Sequence, residues 1–165
     1  MILFIEKICI LTNILSPKEV FSYIAFDMIL DTPNYVNEIH SQEVLETELG
    51  TIRFYNNLVV MEAKEDVTIS FRTGIFILLK VIYMVGTKPV IYISNRKNRY
   101  SVDPNDYKYL DMIPNLKGIG IISYKYGLQS SELERRFINK PFATFHDLES
   151  AEAWARQTLS LQEAI

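Results

Sequence analysis

One cysteine, Cys9, stands in 165 residues, so no intramolecular disulfide can form and a reducing compartment is expected. Histidine is nearly as scarce. His40 and His146 lie far apart and neither has a metal-ligand spacing, so both read as surface or structural residues, and neither metal nor other cofactor is expected. Catalytic signatures are missing as well: no Gly-x-Ser-x-Gly elbow, no phosphate-binding glycine-rich loop, no dinucleotide fingerprint, and no histidine with a nucleophile beside it. A non-enzymatic protein is expected. Gly118-Ile119-Gly120 lacks the third glycine of a nucleotide fingerprint and sits in an apolar run, where close packing of a helix over a sheet explains it better.

Long hydrophobic runs and positive charge are also lacking. No stretch reaches the roughly 20 apolar residues that span a bilayer, and in the apolar segment 1–15 Glu6 and Lys7 break the run without a basic region before it. Neither a signal peptide nor a membrane span is expected, which places the chain in the cytoplasm. With 17 Lys and Arg against 20 Asp and Glu, the net charge of −3 offers no field to draw in nucleic acid. The tyrosines at 92, 100, 107, 109, 124 and 126 scatter over several elements and make no stacking platform; they read as core-edge residues with their hydroxyls at the surface.

What is present is the composition of a folded domain, 48% hydrophobic and 22% charged, which excludes wholesale disorder. Ser16-Pro17-Lys18-Glu19 reads as a helix start, with Ser as N-cap and Glu closing a capping box. Val20, Phe21, Ile24 and Met28 follow at helical spacing, and Asp31-Thr32-Pro33-Asn34 ends the pattern. From Val44 the chain reads as a β-meander over Leu45–Leu49, Thr51–Tyr55 and Leu58–Ala63, turned at Gly50 and Asn56-Asn57. A long apolar helix, Phe71–Val85, is capped by Thr68 or Ser70 and closed by Gly86. Strands at Pro89–Ser94, Gly118–Tyr124 and Pro141–Phe145 then alternate with helices from Asp103-Pro104 to Met112, over Ser130–Ile138, and from Asp147 onward. The expected fold is α/β: a mixed sheet of four to five strands, an N-terminal meander followed by βαβ units, with helices packed on it.

That order of elements from Val44 to Leu159 resembles the STAS-like domains of the SpoIIAA type, the anti-sigma-factor-antagonist-like family. The residues that carry the resemblance are Pro89–Ser94 with Arg96, Tyr100, Ser101, Val102, Asp103 and Pro104; Gly118–Ser123; Glu134, Phe137, Pro141, Phe142 and Phe145; and 151–154. The resemblance implies a sheet backed by helices and a non-enzymatic regulatory or ligand-binding role in the bacterial cytoplasm. Antagonists proper carry a phosphorylatable serine in an Asp-Ser-Ser-Gly-like context. Here the region reads Ser94-Asn95-Arg96-Lys97-Asn98-Arg99-Tyr100-Ser101, so that switch is not carried over. Residues 1–43 fall outside the resemblance and read as an N-terminal extension or a start-codon overcall with Met28 as the true start; 44–165 are the STAS-like domain.

Two features are candidates for function. Arg96, Lys97 and Arg99 place three cations in four positions beyond a central strand, with Ser101 close by, where open α/β sheets tend to bind ligands. A phosphate or carboxylate would fit there; the plainer alternative is a solvated basic loop whose arginines pair with acids, and Asp103 would occupy the nearby helix cap. The second is the helix Phe71–Val85, apolar almost all round. Ile75, Leu78, Leu79 and Ile82 should face the sheet, leaving Phe76, Ile77 and Met84 exposed around Lys80. Such a surface serves as a homodimer contact, is covered by Phe21 and Ile24, or borders a pocket for an apolar ligand. Glu132, Glu134, Arg135 and Arg136 read as a solvated helix face.

The expected function is a binding or regulatory module acting through contact with an unidentified protein partner, as a homodimer. The alternative is a carrier of a small apolar or amphipathic ligand held between the apolar helix and the sheet, with Arg96 or Arg99 meeting an acidic headgroup. An enzyme without a recognisable motif stands third.

Overall fold

Residues whose side chains alternate inward and outward at period two pair into a sheet, and in the computed structural model, which describes residues 16, 19, 20, 43–124 and 128–163, this begins with a meander. Strands β1 (Glu43–Glu46), β2 (Gly50–Tyr55) and β3 (Leu58–Ala63) pair antiparallel. β1 ends earlier than the sequence suggests because Thr47 starts a turn: its Oγ1 donates to the Gly50 carbonyl at 2.7 Å and accepts the Gly50 N–H at 3.0 Å. Leu49 therefore leaves the strand and is buried. Gly50 has φ 154°, and a Cβ there would lie 2.3 Å from the Glu62 carbonyl oxygen, so no larger residue fits. Asn56 makes the second turn with φ 48°, a conformation asparagine tolerates.

Helix α1 (Phe71–Val85) starts at a reciprocal cap in which the Ser70 hydroxyl accepts the Thr73 N–H and Thr73 Oγ1 accepts the Ser70 N–H. Gly86, with φ 62°, closes it. β5 (Val90–Arg96), β7 (Leu116–Ser123) and β8 (Phe142–Phe145) then join in parallel, giving the order β1-β2-β3-β5-β7-β8. The mixed α/β sheet expected from the sequence is present, with six strands where four to five were expected. A separate parallel pair, β4 (Thr68–Ile69) with β6 (Ser101–Val102), is too short to leave a periodic signal.

Asp103 caps a 3₁₀ turn, Pro104–Asp106, that leads into α2 (Tyr107–Asp111). α3 (Leu128–Glu134) runs on into a second 3₁₀ turn, Arg135–Phe137. α4 (Leu148–Glu163) starts where Asp147 accepts the Ser150 N–H at 2.7 Å, a bond that holds the Asp147 carboxyl below its usual range. No described helix is long and apolar enough to cross a membrane.

The two faces of the sheet differ. On one, Leu58, Val60, Ile91, Ile93 and Ile122 pack with Ala151 and Ala155 of α4, and Trp154 joins them. A Cβ on Gly118 would stand 3.0 Å from Trp154 Cη2, and one on Gly120 would stand 2.6 Å from Ile93 Cδ1, so the two glycines serve close packing, as the sequence suggests. The other face, carrying Val59, Met61, Tyr92 and Ser94, looks toward α1 and α2.

The chain divides into two units, Met1–Asn37 and Glu38–Ile165. In the first, the expected capping box is formed: Ser16 N–H and Oγ donate to Glu19 Oε2 at 2.9 and 2.7 Å, and the Glu19 N–H donates to Ser16 Oγ at 3.4 Å. The apolar segment 1–15, the helix face of Phe21, Ile24 and Met28, its stop at 31–34, and Cys9, His40 and Tyr126 lie outside the described residues.

Candidate functional site: a cavity beneath an apolar helix

Gly74, Ile77, Leu78, Val81, Ile82 and Val85 recur at intervals of three and four and so share one stripe of α1. That stripe does not close on the sheet. Between it and Ile52, Val59, Met61 and Tyr92 lies a cavity of about 170 Å³, bounded at one end by Tyr107, Tyr109 and Leu110. A Cβ on Gly74 would meet Leu49 Cδ1 at 3.9 Å, an ordinary contact distance. The walls are apolar almost throughout.

The helix divides its faces nearly as expected. Ile75 and Leu79 are buried, and Leu78 and Ile82 face the cavity. Ile77 is the correction: it was expected to point outward, but it stands three residues after Gly74 and four before Val81 and so lies on the cavity wall. Met84 is half-buried and Lys80 exposed. The outward apolar residues are Phe76, 45% exposed, and Tyr83, 65% exposed.

Six hydroxyl-bearing residues stand among the lining residues: Ser70 at the cap of α1, Tyr92, Ser94, Tyr100, Tyr107 and Tyr109. Ser94 Oγ and Tyr100 Oη are 2.5 Å apart, and the Tyr92 hydroxyl donates toward Met61 Sδ at 3.5 Å. Burial pushes the Tyr92 hydroxyl well above the usual phenol range, so it keeps its proton. The Tyr107 hydroxyl donates to Glu134, which also accepts from Arg96 Nη1 at 2.8 Å and Nη2 at 2.5 Å. Burial, then the Glu134 charge beside it, raises the Tyr107 hydroxyl too. Burial alone would weaken the hold of Arg96 on its proton; the hydrogen bonds to Glu134 and the interactions with the Tyr100, Glu134 and Tyr107 groups around it together more than reverse this. The sequence suggests surface hydroxyls, yet these tyrosines turn inward. Val90, Tyr92 and Ser94 alternate along β5 and therefore share a face, a signal that was readable.

The structure does not gather the basic candidates into one site. β5 ends at Arg96 and Lys97 opens the bend that follows, its N–H donating to the Asn95 carbonyl at 3.1 Å, so the two side chains go to different partners, Arg96 to Glu134 and Lys97 to Glu62. Lys97 Nζ pairs with Glu62 at 2.9 Å, beside Arg53 at 3.6 Å from the same carboxylate oxygen. Arg99 reaches Asp66 at 3.5 Å, both exposed. Ser101 is exposed in β6, its N–H donating to the Val67 carbonyl. Neither Arg96 nor Arg99 lines the cavity, so the acidic headgroup expected to meet them finds no such partner. Glu134 is the second correction. Expected on a solvated face, it is buried, because α3 brings it against the end of β5 where Arg96 waits. Glu132, Arg135 and Arg136 are exposed as expected. Among the described residues, no group of three His, Cys, Asp or Glu is placed to hold a metal.

No family model matches the chain, and no curated protein sequence matches it. Among solved structures, the chain is similar to an uncharacterized protein of the DUF3478 family from Shewanella loihica. The match covers 70% of this chain and 92% of that one, with a TM-score of 0.41 and 10% identity. That protein's fold is SpoIIAA-like, as is the family the sequence resembles.

Proposed function

We propose that this chain acts by binding, not catalysis, and that its ligand is a small apolar or amphipathic molecule held between α1 and the sheet. The cavity of about 170 Å³ carries the reading, since its walls are supplied mainly by aliphatic side chains. An apolar cavity of about 150 Å³ stays dry and takes up benzene, so this one suits a single aromatic ring with a small substituent. Burial of an apolar ligand contributes about 25 cal/mol per Å² removed from water, and a largely pre-formed pocket lowers the cost of ordering. The sequence resemblance supports a bacterial, cytoplasmic setting.

A second reading, contact with a protein through the outer face of α1, is favoured by Phe76 and Tyr83, exposed on either side of Lys80. A homodimer would bury both. Native mass spectrometry of the full chain, purified without denaturation, separates the two readings. The expected result is a reproducible added mass per chain that disappears in Val81→Phe, whose ring fills the cavity, while the variant stays folded. A ligand-free dimer that Phe76→Glu dissociates would overturn the cavity in favour of the surface.

A further inference from the structure

We infer that the ligand carries one uncharged hydrogen-bonding group, a hydroxyl or a carbonyl, seated on the hydroxyl cluster of Tyr92, Ser94 and Tyr100. This rests on the reading of the cavity as a ligand site. Tyr92 and Ser94 project from the same face of β5, and Tyr100 returns to them just before β6. A hydroxyl can donate once and accept twice, so the Ser94–Tyr100 pair at 2.5 Å still has one donor and several lone pairs to offer. The Tyr92 hydroxyl points to the Met61 sulfur at 3.5 Å, a weak acceptor that a ligand oxygen would improve upon.

Charges around the cavity argue against an ionic headgroup. The guanidinium of Arg96 is turned to Glu134 and does not line the cavity. The two lining carboxylates are engaged. Asp106 accepts the Phe71 N–H at 2.5 Å, closing the N-terminus of α1 to an anion, and Asp103 accepts the backbone and side-chain amides of Asn105, both at 3.0 Å. An anion would meet these carboxylates with no lining cation to offset them, and an ammonium would have to draw one from its present partners.

The test is calorimetric titration of the full chain with toluene, benzyl alcohol, benzoate and benzylammonium at neutral pH. Benzyl alcohol should bind at least tenfold more tightly than either ion. Tyr92→Phe and Tyr100→Phe should each weaken benzyl alcohol about fivefold while leaving toluene unchanged, which shows that fold and cavity persist. If toluene binds and neither variant discriminates, or if an ion binds best, the neutral anchor is refuted while the cavity reading stands. If none of the four binds, the cavity reading falls and this inference with it.

Discussion

Glu134→Ala removes the acceptor of three hydrogen bonds at once, two from Arg96 and one from the Tyr107 hydroxyl. The side chains of Arg96 and Glu134 are only 11% and 9% exposed, so water cannot replace the lost carboxylate without opening the packing of α3 on the sheet. An exposed ion pair is worth about 0–1 kcal/mol, whereas leaving one charge of a buried pair uncompensated costs about 3–5 kcal/mol. With a urea m-value of about 2 kcal/mol per molar, the unfolding midpoint should fall by roughly 2 M. Equilibrium urea unfolding followed by tryptophan fluorescence reads this through Trp154. The triple replacement Arg96→Met, Glu134→Leu, Tyr107→Phe removes charge and phenol together and should recover most of the loss, because the cost lies in the orphaned groups and not in the absence of the pair. A loss below about 1 kcal/mol for Glu134→Ala, or a triple variant as unstable as the single one, would refute the reasoning.

Gly74→Ala should stabilise the chain by about 1 kcal/mol, since the position is helical and a Cβ meets ordinary contact distance there. Gly120→Ala should cost about 1–3 kcal/mol by overpacking, with a Cβ 2.6 Å from Ile93 Cδ1; thermal melts of the pair check both signs. Tyr92 and Tyr107 hold their protons more tightly folded than unfolded, so the stability they contribute is complete below the unfolded phenol value near 10 and is lost as pH rises past it. Melting temperature against pH should bend downward in that window, less so in Tyr92→Phe. Lys97→Ala should change stability by less than about 1 kcal/mol, because Lys97 is half exposed and Arg53 also approaches Glu62; an unfolding midpoint that moves further would show that the pair is not solvated.

Local rules carried the elements: caps at Ser70, Asp103 and Asp147, the turn at Asn56, the stop at Gly86 and the alternation along β5 all act within a few residues and are readable before folding. The pair β4–β6 was not readable, since two-residue strands have no period. The cavity was half readable. An all-apolar helix signals more apolar surface than one sheet face can absorb, but whether the surplus faces outward or lines a cavity depends on how closely helix and sheet approach, which no single segment records. Glu134 shows the same limit from the charged side: its neighbours Glu132, Arg135 and Arg136 suggest a solvated face, and only the meeting of α3 with the end of β5, 38 residues apart in sequence, buries it.

The unequal treatment of the two sheet faces bears on function. Where α4 packs, the contact residues are shaped for closeness: Ala151 and Ala155 on the helix are almost fully buried, Gly118 and Gly120 lie opposite, and the Trp154 ring occupies the room that two missing side chains leave. Where α1 packs, a Cβ on Gly74 would meet nothing closer than Leu49 Cδ1 at 3.9 Å, and large aliphatic residues line a half-open cavity without filling it. A half-open cavity forfeits contact energy from the apolar atoms that line it. Filling it requires little, as a single larger side chain at Val81 would reach it. On the binding reading proposed above, the open face is the place left for the molecule that occupies it. On that argument, filling the cavity should raise the stability of the empty protein while removing its capacity to bind.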